Sequence, residues 1–120
     1  GEKVTVRLIG VDAPESVHPE AEKNTPEGSR AAQRLRELTA GRRVALEYDA
    51  ERTDRYGRTL AYVWLDGTLL EDLLLSEGLA RTMPLEPNTR YEQHFARLEE
   101  EAEKAGAGFW GTGFFSYGSE

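Results

Sequence analysis

The chain of 120 residues contains no cysteine, which excludes disulfides, thiolate nucleophiles and Cys-ligated zinc or iron–sulfur centres. It also lacks any apolar run near the roughly 18 residues that suggest a membrane-spanning helix. Positive charge is scarce: 15 lysines and arginines face 22 aspartates and glutamates, for a formal net charge of −7. A non-specific nucleic-acid coat is usually basic, so this balance argues against one. It leaves room for a site in which carboxylates hold a metal and a few local arginines hold phosphate. What the chain does have is 38% apolar residues, enough for one core at one-domain length. Residues 1–120 therefore read as a single domain, with no internal repeat or low-complexity segment.

Val4, Val6 and Leu8 alternate with Thr5, Arg7 and Ile9, the period of a strand. Arg7 then points away from the face carrying Val4, Val6 and Leu8, and Gly10 and Pro14 mark the strand's end. Thr25 followed by Pro26 is a helix start, with Ala31, Leu35 and Leu38 on one face and Gly41 as the stop. Val44, Leu46 and Tyr48 give a second strand, and Thr59 to Leu65, apolar on both faces, a central one. Asp66-Gly67 turns the chain into a short buried helix carrying Leu69, Leu70, Leu73 and Leu74, which Gly78 ends. Pro87 and Asn88 begin the last helix, whose apolar stripe is Tyr91, Phe95, Leu98 and Ala102 and whose glutamates from Glu99 to Glu103 are mostly solvated. Residues 106–120 form a tail rich in glycine and aromatics.

The order strand, helix, strand, strand, short helix, long helix indicates an α+β domain, mainly β in its framework, rather than an alternating βαβ one. Three strands alone would leave sheet edges uncovered. The expectation is therefore of an N-terminal truncation, with roughly 20–30 further residues of strand and hairpin upstream. A chain folding without them can borrow a strand from a neighbour, as a domain-swapped homo-oligomer.

Two segments carry residues suited to chemistry. Arg7 to Glu15 places an arginine in a strand that leads to two carboxylates, Asp12 and Glu15, in a turn stiffened by Pro14. Thr53 to Tyr62 puts Arg55, Tyr56 and Arg58 at a strand entrance. If the two meet, Asp12 can anchor a calcium ion, which takes about 6–8 oxygen ligands. Glu15 can orient or deprotonate a water for attack on phosphorus. The planar forks of Arg7 and Arg58 match phosphate oxygens and can stabilise transition-state charge. Each feature also has a plainer reading by itself: Asp12 and Glu15 as surface turn formers, Arg7 as half of a cross-strand pair, and Arg52, Arg55 and Arg58 as a solvated loop. His94 lies off the apolar stripe and His18 in a loop, neither with the company a catalytic base needs. Trp110, Phe114, Phe115 and Tyr117 pack back on the domain or dock a partner.

The two segments, in this order, resemble the signature segments of the staphylococcal nuclease (thermonuclease) family. The likeness continues through Asp66-Gly67, Glu77-Gly78-Leu79-Ala80, Pro87-Asn88, Glu92-Gln93-His94 and Gly108-Phe109-Trp110-Gly111. It implies a five-stranded OB-type β-barrel with three helices, the first one or two strands missing from this chain. The implied activity is calcium-dependent hydrolysis of DNA and RNA phosphodiesters, leaving 3′-phosphates, with single-stranded or frayed substrates and no membrane partner. In that scheme Asp12 and the backbone carbonyl of Ala13 bind Ca2+, Arg7, Glu15 and Arg58 are catalytic, and Arg55 and Tyr56 touch a neighbouring phosphate. The resemblance also favours a secreted or envelope-associated bacterial protein. Three departures stand out. The family's upstream metal-binding aspartate has no counterpart here, Ala13 replaces a threonine, and Met83 and Leu85 stand where base-stacking aromatics are expected. The competing class is a catalytically impaired nucleic-acid-binding or protein-interaction module, since barrels of this type often bind without cutting.

Overall fold

The computed structural model describes residues 5–13 and 25–115. In chain order the elements are β1 (Val6–Leu8), β2 (Gly10–Asp12), α1 (Pro26–Thr39), β3 (Ala45–Glu47), β4 (Thr59–Leu65), β5 (Thr68–Leu69), α2 (Leu70–Ser76), β6 (Arg81–Met83) and α3 (Glu92–Ala105). A 3-10 turn, Gly108–Trp110, follows. β4 is central, as its apolar character on both faces requires: β1 lies parallel to it on one side and β3 antiparallel on the other. β5 returns on β4 through the Asp66-Gly67 turn, and β2 pairs separately with β6.

The pleat of β4 sorts the core. Leu60, Tyr62 and Trp64 share one parity, and Tyr62 packs its ring 4.7 Å from Tyr91 and 6.1 Å from Phe95, at the start of α3. Val63, on the opposite parity, lines one groove with Leu35 of α1 and Leu70 of α2. α1 begins as its sequence dictates, with Thr25 Oγ1 accepting the Gly28 N–H at 2.8 Å and Pro26 in the first turn. α2 is buried on most sides, and its Glu71 is wholly buried among leucines. One Glu71 oxygen accepts the Val63 N–H at 3.2 Å; the other has no hydrogen-bond partner among the described residues. Burial pushes this carboxyl up to about 8, against the pull of backbone N–H groups and with the charges of Asp72 and Glu47 adding to the rise.

Several expectations need correction. Strand β1 does not simply end at Gly10. The chain bends there and enters β2, and Gly10 adopts φ 90° where any Cβ would lie 2.7 Å from the Phe95 ring. The partner strand β6 was not expected, because three residues with two polar side chains carry no readable period. Pro87 and Asn88 do not start the last helix; α3 begins at Glu92, since the buried Asn88 side chain is bound to the backbone of Glu51. Glu99 departs from the otherwise solvated run: half-buried, it accepts the Thr82 N–H at 2.8 Å and hydroxyl at 2.9 Å.

Three helices are present, as the resemblance implies, but among the described residues the strands form one mixed four-stranded sheet and one antiparallel pair, and no closed barrel is seen. The outer edges of β1 and β3 have no strand partner there, and between them runs an apolar groove of about 340 Å3 lined by Val6, Leu8, Leu35, Val44, Leu46 and Val63. No described helix is long and apolar enough to cross a membrane. The tail does pack back: Phe109, Trp110 and Phe115 are buried, Phe114 is exposed, and Tyr117 lies outside the described residues. That packing needs Gly78 and Gly108 face to face, where a Cβ on Gly78 would come within 2.1 Å of the Ala107 carbonyl oxygen.

Candidate active site

Arg7 sits in β1 opposite Leu60 of β4, and Arg58 lies two residues before Leu60, at the entrance to β4. The Thr59 N–H, next in line, donates to the Thr5 carbonyl at 2.9 Å. Standard strand spacings then put the two arginine Cα atoms about 8 Å apart, with the same pleat parity. The segments singled out in the sequence do meet.

Each arginine is fixed from behind. Arg7 Nη1 donates to the carbonyls of Leu8 at 2.7 Å and Val11 at 2.9 Å, spanning the bend between β1 and β2. Its Nη2 approaches Met83 Sδ at 3.0 Å. Arg58 donates through Nε to Asp54 Oδ2 at 2.7 Å. Asp54 Oδ1 meanwhile accepts the backbone N–H groups of Tyr56 and Arg58, both at 2.9 Å. Burial opposes charge on Asp54, but the hydrogen bonds from Arg58 and Tyr56 outweigh it and hold the carboxyl below the usual range. Among the described residues, the remaining guanidinium N–H groups of Arg7 and Arg58 have no acceptor. Four or more donors are left open toward solvent, in forks that match phosphate geometry.

Tyr56, 69% exposed, stands between Arg55, whose guanidinium carbon is 5.2 Å from the ring centre, and Arg58, at 5.6 Å. Arg52 is stacked 4.0 Å over Tyr48 just beyond. Asp12 ends β2, exposed and opposite Arg81, and Ala13 follows with its side chain against the core. Glu15 and His18 lie outside the described residues. His94 is a hydrogen-bonding residue, its Nε2 2.9 Å from Asp72 Oδ2.

The oxygens of Asp12 and Ala13 suit calcium in kind. In number they fall short, since the described residues contain no group of three or more His, Asp or Glu able to hold a metal. The N–H donors of Arg7 and Arg58 that have no acceptor among the described residues can bind and neutralise anionic oxygens such as those of phosphate.

Sequence reasoning missed three arrangements, two at the candidate site and one apart from it. Asp54 was part of a quoted segment without a role, although a carboxylate four residues before an arginine across a Gly57 turn is a usable signal. The Met83 contact, across 76 residues, left none. The third is a carboxylate cluster on the α3 side of β4. There Glu47 accepts from Trp64 Nε1 at 2.8 Å, from Tyr91 OH at 2.8 Å and from Arg90 at 2.6 Å. Asp49 accepts from Tyr62 OH at 2.8 Å and from the Arg90 N–H at 3.0 Å. Burial works against both charges, yet the donors prevail and both carboxyls stay below their ordinary values. Tyr62 is driven up by burial and by its bond to Asp49.

The structure is an α+β frame in which the segments carrying Arg7 and Arg58 lie side by side. The sequence profile described as "Staphylococcal nuclease homologue" matches residues 5–112, and the chain belongs to this family. It is 38% identical over 110 residues to a thermonuclease of Staphylococcus hyicus, covering 92% of this chain and 64% of that protein. With a thermonuclease of Staphylococcus intermedius the identity is 42% over 110 residues, covering 92% and 65%. With the endonuclease YncB of Bacillus subtilis it is 42% over 112 residues, covering 92% and 53%. The chain thus spans less than two thirds of the length of these relatives.

Proposed function

We propose that this chain is a nuclease that hydrolyses phosphodiester bonds of DNA or RNA with the help of calcium. The observation that carries the reading is the pairing of Arg7 and Arg58 on adjacent strands, each anchored from behind with N–H donors left open. Membership of a family whose relatives are named thermonuclease and endonuclease supports it. In this reading both arginines grip the non-bridging oxygens of the scissile phosphate. Charge gathers on those oxygens as a nucleophile adds, so donors already in place stabilise the transition state more than the ground state. Asp54 has fixed Arg58 in advance, so little ordering is left for the moment of reaction.

Glu15 is assigned the water-orienting or proton-accepting role, and Asp12 with the Ala13 carbonyl the calcium. Substrate phosphate and water are the natural further oxygens for such an ion. Arg55 and Tyr56 contact the next phosphate along the strand. With Met83 and Leu85 in place of aromatics, base stacking contributes little, which favours cutting without strong base preference on single-stranded or frayed substrates.

The test is cleavage of single-stranded DNA in calcium and in chelator, by the native chain and by Arg58→Ala. Calcium-dependent cutting that Arg58→Ala abolishes is the expected result. Binding of DNA with no cutting in calcium would instead make the chain a non-catalytic binding module.

A further inference from the structure

We infer that Met83 is an oxidation site whose sulfoxide disables the phosphate grip of Arg7. This rests on the reading of Arg7 as a phosphate-holding residue. Met83 pairs with Gly10 across β2 and β6, beside the bend. It is 43% exposed, so a small hydroperoxide can reach the sulfur. Its Sδ lies 3.0 Å from Arg7 Nη2. Both Nη1 donors of Arg7 are already committed to the Leu8 and Val11 carbonyls, which leaves Nη2 and Nε as the nitrogens able to turn to a phosphate. Met83 is also the only methionine in a chain without cysteine. Hydrogen peroxide therefore meets a single sulfur, and it is the one touching this arginine.

The chemistry is a two-electron transfer. The sulfur lone pair attacks one peroxide oxygen, the O–O bond breaks, and the departing hydroxide takes up the remaining proton and leaves as water. Sulfur is oxidised from sulfide to sulfoxide and the peroxide is reduced. A thioether is a weak acceptor, so Nη2 is free to leave it for a phosphate. A sulfoxide oxygen is a strong acceptor carrying partial negative charge. It captures the Nη2 donor and stands as a competing oxygen where the phosphate oxygens must come. Sulfoxide reductases return the sulfide, so the effect is reversible.

The experiment treats the full chain with hydrogen peroxide until mass spectrometry shows one added oxygen at Met83. Two quantities are then read: cleavage of single-stranded DNA in calcium, and affinity for oligothymidylate in chelator. The expected result is a loss of about tenfold or more in both, the worth of one charge-assisted hydrogen bond. Both recover on treatment with the two methionine sulfoxide reductases. Met83→Leu keeps its own starting values through the same peroxide exposure, and Met83→Gln, which carries a permanent amide oxygen there, shows the loss without peroxide. A Met83 sulfoxide with unchanged cleavage and affinity would overturn the inference, as would equal peroxide loss in Met83→Leu. An untreated chain that neither cuts nor binds sinks the functional reading and this inference together; one that cuts or binds but ignores oxidation sinks this inference alone.

Discussion

Arg58 and Arg90 are both a little under half exposed, and both pair with carboxylates, yet they are arranged for opposite ends. Arg90 spends Nη1 on Glu47 and on the Tyr48 carbonyl, leans Nη2 toward Asp49, and gives its own backbone N–H to Asp49 as well. Its partners are in turn held by Tyr62, Trp64 and Tyr91. The cluster ties β3 and β4 to the start of α3. Arg58 has a single carboxylate, reached through Nε, and the end of its fork is left open. The lesson is that pairing alone does not separate a structural arginine from a ligand-holding one. What separates these two is which nitrogens are held: the end of the Arg90 fork faces two carboxylates and a carbonyl, whereas Arg58 is held through Nε alone.

The comparison can be broken most directly at Arg58. Arg58→Ala should cost about 10²–10³-fold in cleavage rate, the usual loss when one transition-state donor is removed, with a melting temperature close to that of the native chain. Arg90→Ala should do the reverse, lowering the melting temperature while leaving the cleavage rate near native. A large activity loss in Arg90→Ala would mean that the cluster reaches the site after all.

Glu71 sharpens the contrast from the carboxylate side, because it lies near the cluster and shares none of its donors. In the unfolded chain it ionises near 4.5, and in the fold only near 8. Its contribution to stability is therefore fully present below pH 4.5 and is lost progressively as pH rises toward 8, after which it changes no further. Glu71→Gln should abolish that slope and gain up to a few kcal/mol over the native chain between pH 4.5 and 8. Denaturant unfolding at a series of pH values reads the difference, and parallel curves for the two proteins would contradict the assignment. Tyr62→Phe removes a buried donor to the charged Asp49 and should cost about 2 kcal/mol of stability, again with little change in cleavage. Smallest is Asp54→Asn, which keeps the turn's shape but weakens the hold on Arg58; about a tenfold slower reaction is expected, measured as kcat with KM followed separately.

How much of this was legible in the sequence depended on the range of the interactions. β4, α1 and the Asp66-Gly67 turn announce themselves locally, through apolar runs, a Thr-Pro cap and a turn pair, and all stand where expected. β6 and the bend at Gly10 did not, because each depends on a partner far along the chain. Pro87-Asn88 looked like a helix start because proline and asparagine favour that position. The buried amide of Asn88 is instead used across 37 residues, a demand no local pattern displays. The meeting of Arg7 with Arg58 was foreseen through family likeness, whereas the parallel register that produces it is visible only in the fold. Glu71 could have been found: it lies three and four residues before Leu74 and Leu75, on the same helical face.

Asn88 acts as a splice between two distant stretches of backbone. Its amide oxygen receives the Glu51 N–H at 2.8 Å and its amide nitrogen donates to the Glu51 carbonyl at 3.1 Å, so the side chain stands in for a neighbouring peptide unit. Only an amide can play both parts. A carboxylate in its place would accept but could not donate, in a position that is 3% exposed. The segment it clasps leads directly into Arg52, Asp54 and Arg58. A side chain outside the arginine loop thus fixes where that loop begins.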